Sequence, residues 1–196
     1  MDERDLDPDP IAQFRAWLAQ AQDVSPCADA MTLATTTRDG RPSARIVLLR
    51  TVDDRGFVFF TNRSSRKGRE LEDNPHAALV LHWYELGRQA RIEGRVEEVD
   101  IAESTEYWQT RPRGSQIAAW ASPQSQELSS RAELDRLYEA AETELGTDDI
   151  ALPPFWGGYR VVPDAIEFWH HHENRLHDRV RYELSDDGWK RRRLAP

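Results

Sequence analysis

MTLATTTRDGRPSARIVLLRTVDDRGFVFFT, residues 31–61, decides how this chain folds. Met31–Thr37 is rich in β-branched residues and runs into Arg38-Asp-Gly-Arg41, a turn signal. Ser43–Thr51 follows, with the continuous apolar run Ile46, Val47, Leu48, Leu49 that marks a buried strand. Asp53-Asp-Arg-Gly56 is a second turn, and Phe57–Thr61 is a third strand. Turns this short join antiparallel strands, because a parallel return needs a crossover of a dozen residues or more. A Rossmann unit is therefore excluded here. Neither a G-x-G-x-x-G nor a G-x-x-x-x-G-K-[ST] phosphate loop occurs in the chain.

Working outward, residues 1–9 read as a flexible acidic arm. Asp9-Pro10 caps and opens a helix in which Ile11, Phe14, Trp17 and Leu18 recur at helical spacing, to about Gln22. Beyond the meander, Ser64 or Ser65 caps a short helix that Asn74-Pro75 stops. Ala77–Trp83 and Gln89–Val99 read as strands, and Asp100 caps a helix carrying Tyr107 and Trp108. Ser115–Trp120 is a further helical turn, and the capping box Ser130-Arg-Ala-Glu133 opens a helix to about Leu145. Tyr159–Val162, Ala165–Trp169, Arg179–Leu184 and Trp189–Leu194 complete the strands. The expected fold is mainly β with helices (α+β): one antiparallel split β-barrel domain over residues 10–196. Barrel closure removes the exposed edges that such a meander would leave.

With 196 residues, the chain can bury a core without staples. One cysteine, Cys27, forms no internal disulfide and reads as a small buried or half-buried side chain in a reducing, cytoplasmic setting. No apolar run reaches the ~18 residues of a membrane helix, and the acidic start has no leader-like apolar region. A net charge of −9 argues against nucleic-acid binding. The cations nevertheless cluster: Arg45 with Arg50, Arg63 to Arg69, Arg111 with Arg113, Arg175 to Arg181, and Lys190 to Arg193. Such clusters on an acidic protein suit a small phosphorylated ligand. By composition alone they also read as solvated faces with surface ion pairs.

The order and spacing of several segments settle that choice. They are Arg45-Ile-Val-Leu-Leu-Arg50, Phe60-Thr-Asn62 with Ser65-Arg-Lys67, and Arg88-Gln89. Tyr107 with Arg111-Pro-Arg-Gly-Ser-Gln116, Gln124-Ser125 and Phe155-Trp-Gly-Gly158 follow. Glu167-Phe-Trp169, Arg175-Leu-His-Asp-Arg179 and the terminal Arg193-Leu-Ala-Pro196 close the series. Together they resemble the pyridoxine/pyridoxamine 5′-phosphate oxidase family of FMN-dependent split-barrel flavoproteins, over nearly the whole chain. The resemblance implies a homodimer with FMN at the subunit interface. Its cofactor positions match Arg45, Ile46, Val47, Leu48, Leu49, Arg50, Phe60, Thr61, Arg66, Lys67, Gln89, Gln124, Ser125, Trp169 and Arg179. Its substrate positions match Arg50, Tyr107, Arg111 and Ser115 for a phosphate, with Arg175, Leu176 and His177 beside a pyridine ring. Arg175 and His177 are the implied catalytic pair, His being the side chain that titrates near neutrality. The implied partners are a phosphorylated pyridine and dioxygen, with no nucleic acid and no membrane.

Without the resemblance the same residues have ordinary readings: Arg66 and Lys67 as an exposed helix face, Trp169 as core, Tyr107 and Arg111 as a surface i,i+4 pair. Two departures from the family pattern stand out. Arg50 occupies a position where the family usually has lysine, and Arg binds phosphate as a planar fork rather than a point charge. His170-His171-His172 follows Trp169 where the family usually has glycines. His170 and His172 share a face on a strand, and with His177 they invite a metal reading. No carboxylate stands at a convincing sequence spacing, so no metal is expected, and the histidines are read as reshaping the substrate pocket. These departures keep open a related FMN oxidase of another ring, of the phenazine-precursor type; a second alternative, a non-catalytic flavin or tetrapyrrole carrier, is opposed by the Tyr107, Arg111 and Ser115 set and by Arg175-Leu-His177, since a carrier needs no second phosphate site.

Overall fold

The computed structural model describes residues 1–196. In chain order the elements are α1 (Pro10–Gln22), β1 (Ala30–Thr36), β2 (Pro42–Leu48), β3 (Thr51–Asp53), β4 (Gly56–Asn62), α2 (Arg66–Asp73) and β5 (His76–Trp83). There follow β6 (Arg88–Glu98), α3 (Ile101–Thr110), α4 (Arg113–Ala121), α5 (Arg131–Leu145), β7 (Trp156–His170), β8 (Asp178–Ser185) and β9 (Gly188–Leu194). All pairings are antiparallel, in the order β2-β1-β5-β6-β7-β4-β3, with β8 and β9 extending from the C-terminal half of β7.

The run expected as one strand, Ser43–Thr51, is two. Pro42–Leu48 pairs with β1, and Thr51–Asp53 pairs with β4. Leu49 N–H donates to Asp29 (2.8 Å) and Arg50 N–H to Val58 (2.8 Å), so the chain changes partners within two residues. That switch carries the chain from one end strand of the sheet, β2, to the other, β3, so the sheet curls into a half-barrel. The run is also not a buried strand: Ile46 is 63% and Leu48 41% exposed, while only Leu49 enters the core. The strand alternates, so Ile46 and Leu48 share the outward face while Val47 packs against the core. Within the chain β2 also has a strand neighbour only on its β1 side, which leaves an apolar edge strand open.

The two strands expected at Tyr159–Val162 and Ala165–Trp169 are one long β7. Pro163 does not break it, because it sits at a register shift opposite Gly94, where a ladder donor is not needed. A Cβ at Gly94 would lie 2.1 Å from the Val162 carbonyl, so only glycine fits.

α1 plugs the barrel. Phe14 packs edge-on to Phe57 at 4.8 Å and Trp17 to Phe168 at 5.0 Å, within a core that also takes Trp83, Leu79 and Ile92. A smaller core of Trp108, Ile117, Ile150 and Trp156 seats α3 and α4 beside β4.

The N-terminal segment is docked rather than free. Leu6 is buried in the main core, Tyr182 donates to the Asp7 carbonyl (2.7 Å), and Arg191 donates to the carbonyls of Glu3 and Leu6. One buried leucine and the basic β9 strand hold the acidic stretch. Cys27 is exposed, in the turn between α1 and β1, and not half-buried as its composition reading had it. No helix is long and apolar enough to cross a membrane.

Candidate functional site

Lys67 sits in the first turn of α2, whose N-cap Ser65 accepts from Gly68 N–H. Its ammonium is buried. It donates to Gln124 Oε1 (2.8 Å), Thr61 Oγ1 (3.0 Å) and Ser65 Oγ (3.3 Å), all neutral acceptors. Burial, and then the charge of Arg45, push its pKa down to about 8. A buried cation held by neutral groups beside a helix N-terminus is a receptor for an anion.

Arg45 reaches the same place from β2. It is anchored on Glu70 (3.1 Å), which is only 4% exposed. Burial would raise the Glu70 carboxyl. Hydrogen bonds from Ser43, Thr35, Arg66 and Arg45 outweigh it and hold the group at about 2. Arg66 pairs with Glu70 at 2.8 Å from an exposed position. It therefore braces the anchor rather than lining the cleft.

A third set comes from α3 and the loop after it. Phe60 stacks on Tyr107 (4.1 Å) and Trp156 (5.4 Å). Gly158, paired with Phe60 on β7, makes room for that ring, since a Cβ there would lie 2.7 Å from it. Arg50 lies over the Tyr107 ring at 5.9 Å and pairs with Asp29 (3.1 Å). Arg111 lies over Trp156 at 4.9 Å and donates to the Ser115 carbonyl (3.0 Å). Its Nε is buried without a partner, and burial works against its charge.

These sets face one cleft of ≈ 260 Å³. Its lining is Arg45, Ile46, Val47, Leu48, Arg50, Phe60, Thr61, Lys67, Tyr107, Arg111 and Gln124. Every one of the eleven is a residue that the sequence marked. A second hollow of ≈ 350 Å³ shares Phe60, Thr61, Arg111 and Gln124 and adds Ser115, Asn62, Ser122 and Trp156. Leu49 is not on the cleft; it is 5% exposed in the core.

The remaining expected residues are elsewhere. Gln89 and Trp169 face each other across β6 and β7, and Trp169 pairs with Arg179 across β7 and β8. Arg179 is held by Glu167 (2.9 and 3.1 Å), which is 2% exposed. His177 lies 4.6 Å from the Trp169 ring. Arg175 and Leu176 are exposed on the turn between β7 and β8. Asn174 and Arg175 have φ of 57° and 61°, and Ser125 has 73°. Non-glycine residues in this region cost energy that persists mainly at functional sites. Gly158, beside Phe60, and Trp169 are eleven residues apart on β7, or about 35 Å of extended strand at ~3.3 Å per residue. The two groups thus lie towards opposite ends of β7.

Sequence reasoning missed Glu70, Thr35 and Ser43, the anchor of Arg45. The i,i+4 spacing of Arg66 and Glu70 was the available signal for Glu70. It also missed Asp29 as the partner of Arg50, and Asp178 beside His170 and His172, where no carboxylate was expected. Asp178 is distant from them in spacing but directly across the β7–β8 ladder. His177, grouped with those histidines by sequence, instead packs on Trp169 and His171.

The curled antiparallel sheet and the cation-lined cleft together define a split barrel of the FMN-binding type. A solved FMN-binding protein from Nostoc punctiforme, related to pyridoxamine 5′-phosphate oxidase, shares the fold (TM-score 0.76, 17% identity, 96% of this chain and 98% of that one). Residues 18–143 match the pyridoxamine 5′-phosphate oxidase family model, and residues 156–196 match the pyridoxine 5′-phosphate oxidase C-terminal dimerisation region. The chain belongs to the pyridoxine/pyridoxamine 5′-phosphate oxidase family. Curated relatives of that name are 55% identical in Salinibacter ruber (96% of this chain, 89% of the relative) and 55% identical in Thermosynechococcus vestitus (99% and 92%). PhzG from Burkholderia lata, solved with tetrahydrophenazine-1-carboxylic acid, superposes with a TM-score of 0.92 at 36% identity over 98% of this chain and 95% of that one.

Proposed function

We propose that this chain is an FMN-dependent oxidase that converts pyridoxamine 5′-phosphate and pyridoxine 5′-phosphate to pyridoxal 5′-phosphate, reducing dioxygen to hydrogen peroxide. The carrying observation is that one cleft holds two cation groups, Arg45 with Lys67 and Arg50 with Arg111. Two phosphorylated molecules side by side account for both, whereas a flavin carrier needs only one.

Lys67, Ser65 and the start of α2 fit the FMN phosphate, with Arg45, Gln124 and Ser125 as further donors and Arg66 supporting through Glu70. The exposed backbone and side chains of Arg45–Leu48, with Phe60 and Thr61, suit one face and edge of a flat ring. Arg50, Tyr107, Arg111 and Ser115 suit the substrate phosphate, each charge-assisted bond being worth about 1.5–3 kcal/mol. Gln89, Trp169 and Arg179 are ladder neighbours on β6, β7 and β8, towards the opposite end of β7 from Gly158 and Phe60. A second copy supplies them, seated on the apolar β2 edge, and brings Arg175 and His177 to the substrate ring. When bound, FMN supplies the two-electron chemistry that links the substrate to dioxygen. Arg175 orients the ring. His177 handles the proton released from the substrate amine or hydroxyl, with Trp169 packed against its imidazole. The setting is cytoplasmic, and residues 10–196 act as one domain.

The high structural similarity to PhzG, with Arg50 and the histidine run, favours a phenazine-precursor oxidase as the second reading. A visible spectrum of the purified protein, followed by peroxide detection, separates the two. Flavin absorbance with peroxide formed from pyridoxine and pyridoxamine phosphates is expected. A yellow protein inert toward both phosphates favours the second reading. A protein that binds no FMN ends both.

A further inference from the structure

We propose that His170, His172 and Asp178 form a binding site for a divalent transition-metal ion of the zinc class. His170 ends β7, and His172, two residues on, is still extended (φ −137°, ψ 157°), so the two rings share a face. Asp178, the first residue of β8, is the cross-strand partner of His170. The imidazole centroids are 5.5 Å apart, and His172 Nε2 is 2.7 Å from Asp178 Oδ2. One ligand atom from each of the three residues lies within 4.8 Å of the others. His170 Nδ1 is buried and has no hydrogen-bond partner.

Two imidazoles and a carboxylate on facing strands are a ligand set that first-row divalent ions take and Mg²⁺ does not favour. With metal bonds of about 2.0–2.2 Å, tetrahedral ligand atoms stand roughly 3.3–3.6 Å apart. His172 and Asp178 must therefore separate slightly while His170 turns inward. His171 takes no part. Its N–H donates to the Gly87 carbonyl (2.8 Å), and its ring packs near His177 at 5.2 Å.

Cations already neutralise Asp178: the Met1 ammonium, and Arg193 at 2.6 Å. The metal competes with the first of these for Oδ2. The bound ion would clasp the two ends of the 171–177 turn, the segment that carries Arg175 and His177.

The test is a Zn²⁺ titration of the full chain against a chromophoric chelator, with thermal melts, and needs no flavin. One Zn²⁺ per chain and a raised Tm are expected, with no effect of Mg²⁺. His172→Gln, at an exposed position, should weaken Zn²⁺ more than about tenfold while the apo melt is unchanged, and Asp178→Asn should do the same to affinity. His171→Gln should bind like the wild type. Equal affinity in His172→Gln and wild type, or no uptake by the wild type, overturns the site.

Discussion

In the cleft between β2, β4 and α3 the charged groups are held before any ligand arrives. Lys67 rests on three neutral acceptors, Arg45 on Glu70 and Arg50 on Asp29. The turn beyond β7 is built in the opposite way. Arg175 and Leu176 stand exposed, on backbone with two successive positive φ values. One region is a cleft whose cations are fixed by partners, and the other is an exposed turn with a strained backbone. The contrast sets a prebuilt cleft against an exposed turn at opposite ends of one long strand, and on the proposed function it is a second copy that joins them.

Arg175→Ala gives the largest expected effect and the sharpest test of the divided site. Turnover should fall about 100-fold or more through lost positioning, while flavin is retained. Equal loss of flavin would put Arg175 in the wrong half. Co-refolding Arg175→Ala chains with chains carrying Lys67→Met and Arg45→Met, which together should leave the flavin site empty, should restore about a quarter of wild-type activity. Half of the random dimers then contain one intact site of two. No restoration in steady-state assays would return both halves to one chain.

Lys67→Met alone should weaken FMN binding by about 10–100-fold, the loss of one charge-assisted contact. The same residue sets a pH dependence. With its pKa near 8, Lys67 is charged below that pH and becomes neutral above it. FMN affinity in the wild type should hold below pH 8 and fall as pH rises through it, because anion binding then requires proton uptake. Fluorescence titrations across that range check this, and a flat profile breaks the assignment.

Glu70→Gln should give the smallest effect, about 1–2 kcal/mol of stability in denaturant melts, with flavin affinity reduced less than in Lys67→Met. The folded carboxyl is held at about 2, below its ordinary 4.5. Its contribution is therefore present above pH 4.5 and lost as pH falls towards 2. A variant as stable as wild type at neutral pH would show that Arg45 needs no anchor.

Legibility followed the range of the interactions. The β1–β2 hairpin, the amphipathic α1 and the capped helices could be read because turn residues, caps and periodicity act over a few positions, whereas the third strand of the expected meander pairs with β3 and β7 and not with β2. The cleft residues could be read because their motif order is specific. Other features are tertiary. Leu49 and Ile46 belong to one apolar run, yet the strand switch at Arg50 buries the first and exposes the second. Glu70 and Asp178 bring their charge to partners that the ladder and helix packing place beside them.

By itself, then, the sequence determined an antiparallel β domain with helical decoration and a family-specific set of cations and aromatics. Only the tertiary structure decided which strand lies at an open edge, how buried Lys67 is, and that the site residues fall into two groups. The physical reason is that alternation and caps are local, whereas burial and desolvation depend on what the curled sheet and its helices place next to each side chain.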